Sequence, residues 1–245
     1  MRRAEELYVG YAKQAPRATA RFLRRRLAWL AVGVAAVAAL LAALQRPFDQ
    51  GRFGYGEEVA LEGLLLEQPY PMLAVAGEGQ PAMHLLVLFG KHGAGPAVAG
   101  LHGRRVRLRG APIERGGRGM LELLDGGVED LGPGGPRPEP VALGPVALRG
   151  EIVDSKCFLG VMKPAREAPH RACARNCVAG SIPPALWVPS ARGDVLLVLV
   201  DRRRAAVGAE VLPWMARPVE IRGDLWRLGD LLLLSVESYR AMGST

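Results

Sequence analysis

The chain has 245 residues, of which 49% are hydrophobic and 6% aromatic, and it carries a net charge of +8. Such a basic balance would suggest a nucleic-acid partner if the charge lay on the folded part. However, the first 26 residues contain eight basic and two acidic side chains, so a net charge of only +2 remains for the rest. This small charge and the few aromatic side chains argue against nucleic-acid binding.

Residues 27–45 are predicted to form a transmembrane helix. The stretch LAWLAVGVAAVAALLAAL (27–44) contains no charged side chain, and 18 helical residues rise about 27 Å, close to the roughly 30 Å hydrocarbon core of a bilayer. A helix in the core of a soluble protein would normally show a polar stripe, which this stretch lacks. A cleaved signal peptide is the alternative, but its basic region would be unusually long and no good small-x-small cleavage site follows.

Residues 1–26 are predicted to be a basic cytoplasmic tail, because clustered arginines just before a first span keep that side in the cytoplasm. The tail would lie along anionic lipid of the inner leaflet, where each Lys or Arg contributes about 1 kcal/mol. The chain would then be a single-pass signal-anchor protein of the cytoplasmic membrane, with its bulk in the periplasm or another extracytoplasmic compartment.

A Pro/Gly-rich linker is predicted at 131–145 and divides the exported part in two. It contains five prolines and four glycines, a composition that does not form a regular element. The flanking units, 57–130 and 146–240, are short, so each can bury only a modest core.

The two units have related sequences. VALEG (59–63), LLVLF (85–89) and VRLRG (106–110) match VALRG (146–150), LLVLV (196–200) and VEIRG (219–223). Val106 and Leu108 alternate with arginines, which is typical of a strand with one solvated face, whereas LLVLV indicates a strand buried on both faces. Glycines at the ends of these runs indicate bulges or sharp bends. Short strands with glycine corners predict a mainly β protein, in which the transmembrane helix is followed by two small OB-like β-barrels.

The second unit gains 24 residues between its first and second matched segments, and all three cysteines lie in this insertion. Because the first unit lacks the insertion, the barrel does not need it for folding. A segment added to a scaffold in this way is typical of a functional site.

The insertion is predicted to carry a metal site. PHRACARNCVAG (169–180) reads as a short helix, with Pro169 in its first turn and Gly180 at its end. Three of its side chains lie on one stripe at positions i, i+3 and i+7, and a further cysteine is expected in the loop after the preceding strand. Three thiols and one imidazole suit zinc, and would also suit an iron or copper ion, although their spacing is not that of a zinc finger. The predicted ligands are Cys157, His170, Cys173 and Cys177.

The same thiols permit two other interpretations. Thiols outside the cytoplasm tend to be oxidised, and Cys157 paired with Cys173 or Cys177 would leave one thiol. That thiol would lie beside His170 and Lys156, positive groups that lower a thiol pKa, and could be redox-active. Alternatively, the disulfide is a structural staple worth about 3 kcal/mol and the third thiol is idle.

Other features of the sequence are weaker. FGKHGAGP (89–96) lacks the spacing of a phosphate-binding loop and is predicted to be a turn. Asp154 and Lys156 flank Cys157 and could support a metal ligand, but a charged strand end explains them equally well. No Ser-His-Asp set, paired-carboxylate site or haem-attachment motif stands out in the sequence.

The segments EIVDSKCFLGVMKP (151–164) and PHRACARNCVAGSIPPAL (169–186) resemble a group of uncharacterised bacterial membrane-anchored or secreted proteins. These share Val-Asp-x-x-Cys, then Cys-Ala-x-x-Cys, then a Gly and Pro before a strand. The resemblance covers about 35 residues strongly and implies an OB-like architecture and importance of Cys157, Cys173 and Cys177. The plan of one span and an exported barrel is also similar to the haem chaperone of cytochrome c maturation. That family's His-x-x-x-Tyr signature is absent, so haem binding is not implied.

Together these features predict a membrane-anchored, exported accessory protein with a Cys/His metal-binding or redox site. Its partners would be the membrane and a membrane-associated complex that transfers electrons or handles metal. A thiol–disulfide redox protein and a non-catalytic assembly module with structural cysteines are the alternatives. No substrate or reaction follows from the sequence.

Overall fold

The protein is mainly β, with one N-terminal apolar helix. The computed structural model describes residues 16–44, 51–190 and 193–243, so most of the predicted basic tail, residues 1–15, lies outside the described residues. The chain divides into two compact units, one ending at residue 49 and one beginning at residue 50. The first contains the N-terminal helix, and the second contains every strand of the described residues.

The N-terminal helix, α1, comprises Arg17–Leu44 and has 28 residues. It begins ten residues before the span predicted at 27–45, because arginine is a good helix former and nothing in 17–26 breaks the helix. By length and composition α1 is able to cross a membrane, and none of its residues is buried.

The first barrel has five strands that close into a ring. They are β2 (Val59–Leu66), β3 (Met72–Val75), β4 (Ala82–Leu88), β6 (Arg104–Arg115) and β7 (Arg118–Pro133). The ring order is β2-β3-β4-β7-β6, in which β4 and β7 are parallel and the other pairs antiparallel. Three short elements flank the ring: β1 (Arg52–Phe53), β5 (His92–Gly93) and α2 (Gly95–Val98).

The second barrel repeats this topology. Its strands are β8 (Val141–Asp154), β9 (Pro184–Val188), β10 (Val195–Val200), β11 (Pro218–Leu228) and β12 (Leu231–Ala241), in the closed order β8-β9-β10-β12-β11. Again the third and fifth strands are parallel. A 3₁₀ helix, Ala209–Trp214, joins the third and fourth strands. Two helices, α3 (Ser155–Leu159) and α4 (Glu167–Ala179), are inserted between the first and second strands. The predicted fold class, an apolar N-terminal helix followed by two small β-barrels with a helical insertion in the second, is confirmed, and the structure shows that each barrel has five strands.

The matched sequence segments occupy equivalent strands of the two barrels. VALEG and VALRG lie in the first strands, LLVLF and LLVLV begin in the third, and VRLRG and VEIRG lie in the fourth. Four glycines end the matched segments of the first and fourth strands: Gly63, Gly110, Gly150 and Gly223. A Cβ at any of these positions would lie between 1.9 and 2.4 Å from a carbonyl oxygen of the neighbouring strand. The repeated glycines therefore allow the close strand crossings that shape both barrels.

The predicted linker at 131–145 is shorter than its composition suggested. Strand β7 continues to Pro133 and β8 begins at Val141, so only residues 134–140 lie outside strands. The prediction that 131–145 contains no regular element is therefore wrong at both ends. Pro133 lies close to a register shift between β6 and β7, and proline is tolerated in strands at such irregularities.

The two barrels share part of one hydrophobic core. Met72 and Val87 of the first barrel belong to the same buried cluster as Val153 and Val198 of the second. The hydroxyl of Tyr70, which lies between β2 and β3, donates a hydrogen bond of 2.8 Å to the carbonyl oxygen of Leu199. Phe158 and Cys177 of the insertion belong to the same cluster, so the insertion packs against the first barrel.

Candidate metal centre

The insertion starts where the first strand of the second barrel ends. Asp154, the last residue of β8, is fully buried, and its Oδ1 accepts a hydrogen bond of 2.8 Å from the backbone nitrogen of Cys157. This N-cap starts helix α3 at the next residue. Cys157 therefore lies on a short helix rather than in the loop that the sequence predicted, and the cap fixes its position relative to the barrel.

Helix α4 is the helix predicted from PHRACARNCVAG, and it begins two residues earlier. Pro169 lies in its first turn, and Gly180 follows its last residue. His170 and Cys177 are buried, and Cys173 is half-buried, so the stripe that carries them faces the interior.

The predicted ligand atoms form two overlapping groups. The ligand atoms of Cys157, His170 and Cys173 all lie within 4.8 Å of one another, and so do those of Asp154, Cys157 and Cys177. All three cysteines are thiols, and Cys157 belongs to both groups. Three of the four predicted ligands thus form one set, whereas Cys177 groups with Cys157 and with Asp154, which the sequence did not offer as a ligand. Both sets have a donor chemistry that could hold a metal ion.

His170 is oriented by the buried carboxylate. Its Nε2 lies 2.9 Å from Oδ2 of Asp154, whose other oxygen caps α3. Histidines that bind metals commonly donate their second ring N–H to a carboxylate, which fixes the tautomer and the ring orientation. With Nε2 donating to Asp154, Nδ1 is the nitrogen that remains available to an ion.

A lysine of the first barrel contacts the thiols. Lys91 lies in the turn between β4 and β5, and its Nζ donates a hydrogen bond of 2.8 Å to Sγ of Cys173 and lies 3.6 Å from Sγ of Cys177. The sequence indicated only a turn for this segment. Lys91 precedes Cys173 by 82 residues, so no local pattern could have pointed to it.

The pKa values of Cys157 and Cys177 are shifted in opposite directions. A hydrogen bond from the Cys157 thiol, helped by the Lys91 ammonium, lowers the pKa of Cys177 to about 7. The same hydrogen bond, together with burial, raises the pKa of Cys157 well above its usual range. The hydrogen bond to Cys173 raises the pKa of Lys91. Negative charge on this pair of thiols is therefore favoured at Cys177, beside the lysine cation.

Lys156, which the sequence placed beside a thiol, is instead bound by the first barrel. Its Nζ forms an ion pair with Glu122 of β7, and both side chains are about nine-tenths buried. The same nitrogen donates hydrogen bonds of 2.8 and 2.7 Å to the carbonyl oxygens of Leu88 and Gly90. Through these hydrogen bonds, Lys156 connects α3 to the turn that contains Lys91.

A cavity of about 320 Å³ opens beside the thiols, at the meeting of the two barrels. All three cysteines and Lys91 line it, and the rest of its wall is largely apolar. The apolar lining side chains are Phe53, Phe89, Ile113, Val161 and Met162. The site therefore opens to the surface through a cavity with a largely apolar wall, of which Phe89, Val161 and Met162 are exposed.

We expect Asp154→Asn to lower metal affinity by about 10–100-fold without changing the stoichiometry. Asparagine can still cap α3, but it orients His170 less well and removes the carboxylate of the second ligand group. The affinity would be measured by competition with a chromophoric chelator. Asp201→Asn is the matched control, since Asp201 also caps backbone nitrogens of the second barrel but holds no histidine. Equal affinities of the two variants would contradict the orienting role of Asp154.

No protein-family model, curated protein or solved structure matches this chain. What the site can do therefore follows from its own side chains.

Proposed function

We propose that the protein is a membrane-anchored, exported accessory protein that holds a metal ion between the cysteines and the histidine of its second barrel. The observation that carries the proposal is the convergence of the ligand atoms of Cys157, His170 and Cys173 within 4.8 Å, with Cys177 next to Cys157. Thiolates and an imidazole are ligands of zinc, iron and copper. The ion would serve a membrane-associated electron-transfer or metal-handling complex.

The surroundings of the thiols support ion binding. Buried thiolates need a positive neighbour, because an unpaired charge is costly away from water, and an ion would supply that charge together with Lys91. His170 already has the carboxylate partner that metal-bound histidines commonly have.

Placement outside the cytoplasm is supported by the apolar helix α1 and by the arginines at its start. Such clusters normally stay on the cytoplasmic side of a first span. Thiols in an exported protein tend to become oxidised. A bound ion would protect the three thiols from oxidation, so the ligand set would remain reduced in this compartment.

Elemental analysis of the full chain, purified in detergent without oxygen, tests the proposal. We expect about one equivalent of a transition metal in the wild type, and its loss in Cys173→Ser and in His170→Gln, because each removes a ligand. His92→Gln is the control, since His92 is exposed and belongs to neither ligand group. No stoichiometric metal in the wild type, or unchanged metal in Cys173→Ser, would contradict the proposal.

A thiol–disulfide function is the second candidate, favoured by one contact. The sulfurs of Cys157 and Cys177 lie within 4.8 Å, and the two side chains are hydrogen-bonded. Alkylation and peptide mapping of protein purified under air would reveal a bond between these cysteines, with Cys173 left as a thiol. Protein whose three cysteines all remain alkylatable would argue against it.

A further inference from the structure

Met162 offers a fourth sulfur to the site. It lies between α3 and α4, is 46% exposed, and lines the same 320 Å³ cavity as the three cysteines. Methionine is unbranched and adaptable, and its thioether is a soft ligand. The segment that carries it joins two helices that each hold part of the ligand set.

The donors that this cavity offers are sulfurs rather than oxygens. The one carboxylate among the residues that line it belongs to Glu122, which is already paired with Lys156. The neighbouring walls are formed by Phe53, Phe89 and Ile113, which have no side-chain donor atoms. Sulfur ligands favour soft ions over ions that retain water or carboxylate ligands.

The grouping of the ligand atoms also bears on the choice of ion. Structural zinc is almost always held by four ligands in a tetrahedron, whereas the set of Cys157, His170 and Cys173 has three, and the second set replaces two of these by Asp154 and Cys177. The further sulfurs that line the cavity beside this set are those of Cys177 and Met162, and a thioether is a soft ligand that is not among the usual ligands of zinc.

We propose that the site selects a soft monovalent ion of the Cu(I) class, and that the thioether of Met162 joins the cysteines as a ligand. This inference rests on the proposed function, because it assumes that the site holds a metal ion. It goes further by naming the class of ion and an additional ligand residue.

The test compares Cu(I) and Zn(II) on the reduced full chain in detergent without oxygen. Each affinity is measured by competition with a chromophoric chelator for that ion. We expect Cu(I) to bind at one equivalent and to resist displacement by excess Zn(II). Met162→Leu should lower the Cu(I) affinity by about tenfold, as when a residue that supports a metal site is removed, and leave the Zn(II) affinity unchanged. Val161→Leu is the control, since it changes the same cavity wall without removing a sulfur.

The outcomes separate this inference from the function on which it rests. If Zn(II) binds at one equivalent and displaces Cu(I), the ion class is wrong while the metal site stands. If Met162→Leu lowers both affinities or neither, Met162 is not a ligand. Binding of neither ion would refute the proposed metal function itself.

Discussion

Replacement of Lys156 by methionine is expected to lower the free energy of unfolding by about 3–5 kcal/mol, because it leaves a buried carboxylate without its partner. The ion pair of Lys156 with Glu122 is about nine-tenths buried, so water cannot replace the ammonium. Two carbonyl oxygens of the first barrel lose their donor as well. Urea denaturation of the full chain in detergent, followed by tryptophan fluorescence, measures the effect.

Two further variants show whether burial of the charge is the cause. In Lys156→Met combined with Glu122→Leu, most of the lost stability should return, because apolar residues can replace a buried ion pair at little cost. Arg105→Gln breaks an exposed pair with Glu62 and should cost at most about 1 kcal/mol. If Lys156→Met lowered the free energy of unfolding no more than Arg105→Gln does, the buried ion pair of Lys156 with Glu122 would not stabilise the protein.

Gly180→Ala is expected to destabilise the protein by about 3 kcal/mol, the upper part of the usual range for overpacking. A Cβ at this position would lie 1.8 Å from the carbonyl oxygen of Lys91, a backbone atom that cannot rotate away. The φ and ψ angles of Gly180, −86° and 15°, are open to alanine, so the cost comes from the contact and not from backbone strain. The hydrogen bond from the nitrogen of Gly93 to the carbonyl oxygen of Gly180 would be displaced too.

The same substitution should also weaken the metal site, because it moves the backbone of Lys91 away from α4 and its thiols. Chemical denaturation and chelator competition on one preparation would measure both effects. Gly135→Ala provides the control, since a Cβ at Gly135 would meet no atom within 4 Å. If Gly180→Ala and Gly135→Ala had the same free energy of unfolding, the contact between α4 and the first barrel would not be tight.

Much of the fold was predictable because it depends on local patterns. The alternation in VRLRG, the apolar run in LLVLV and the glycines that end the repeated segments all reflect how a strand meets its immediate neighbours. Helix α4 was predictable for a similar reason, since Pro169 and Gly180 mark its ends within the sequence itself. The helical spacing then placed His170, Cys173 and Cys177 on one stripe.

The remainder of the site depends on how the two barrels meet, which no local pattern encodes. The contact of Lys91 with Cys173 and the pairing of Lys156 with Glu122 both join distant parts of the chain. Cys157 was misplaced in a loop for a smaller reason: the capping role of Asp154 looked like an ordinary charged strand end. The count of prolines and glycines likewise overstated the linker. Gly144 and Pro145 lie inside β8 beside a register shift with β11, and strands accept both residue types at such irregularities.

Lys91 belongs to the first barrel, whereas the cysteines that it contacts belong to the second. A second barrel synthesised alone would possess every thiol and the imidazole yet lack the cation that stabilises their charge. Full assembly of the site would therefore require the two barrels to dock first, so that tight binding of an ion would report completed folding of the two-barrel region as a whole.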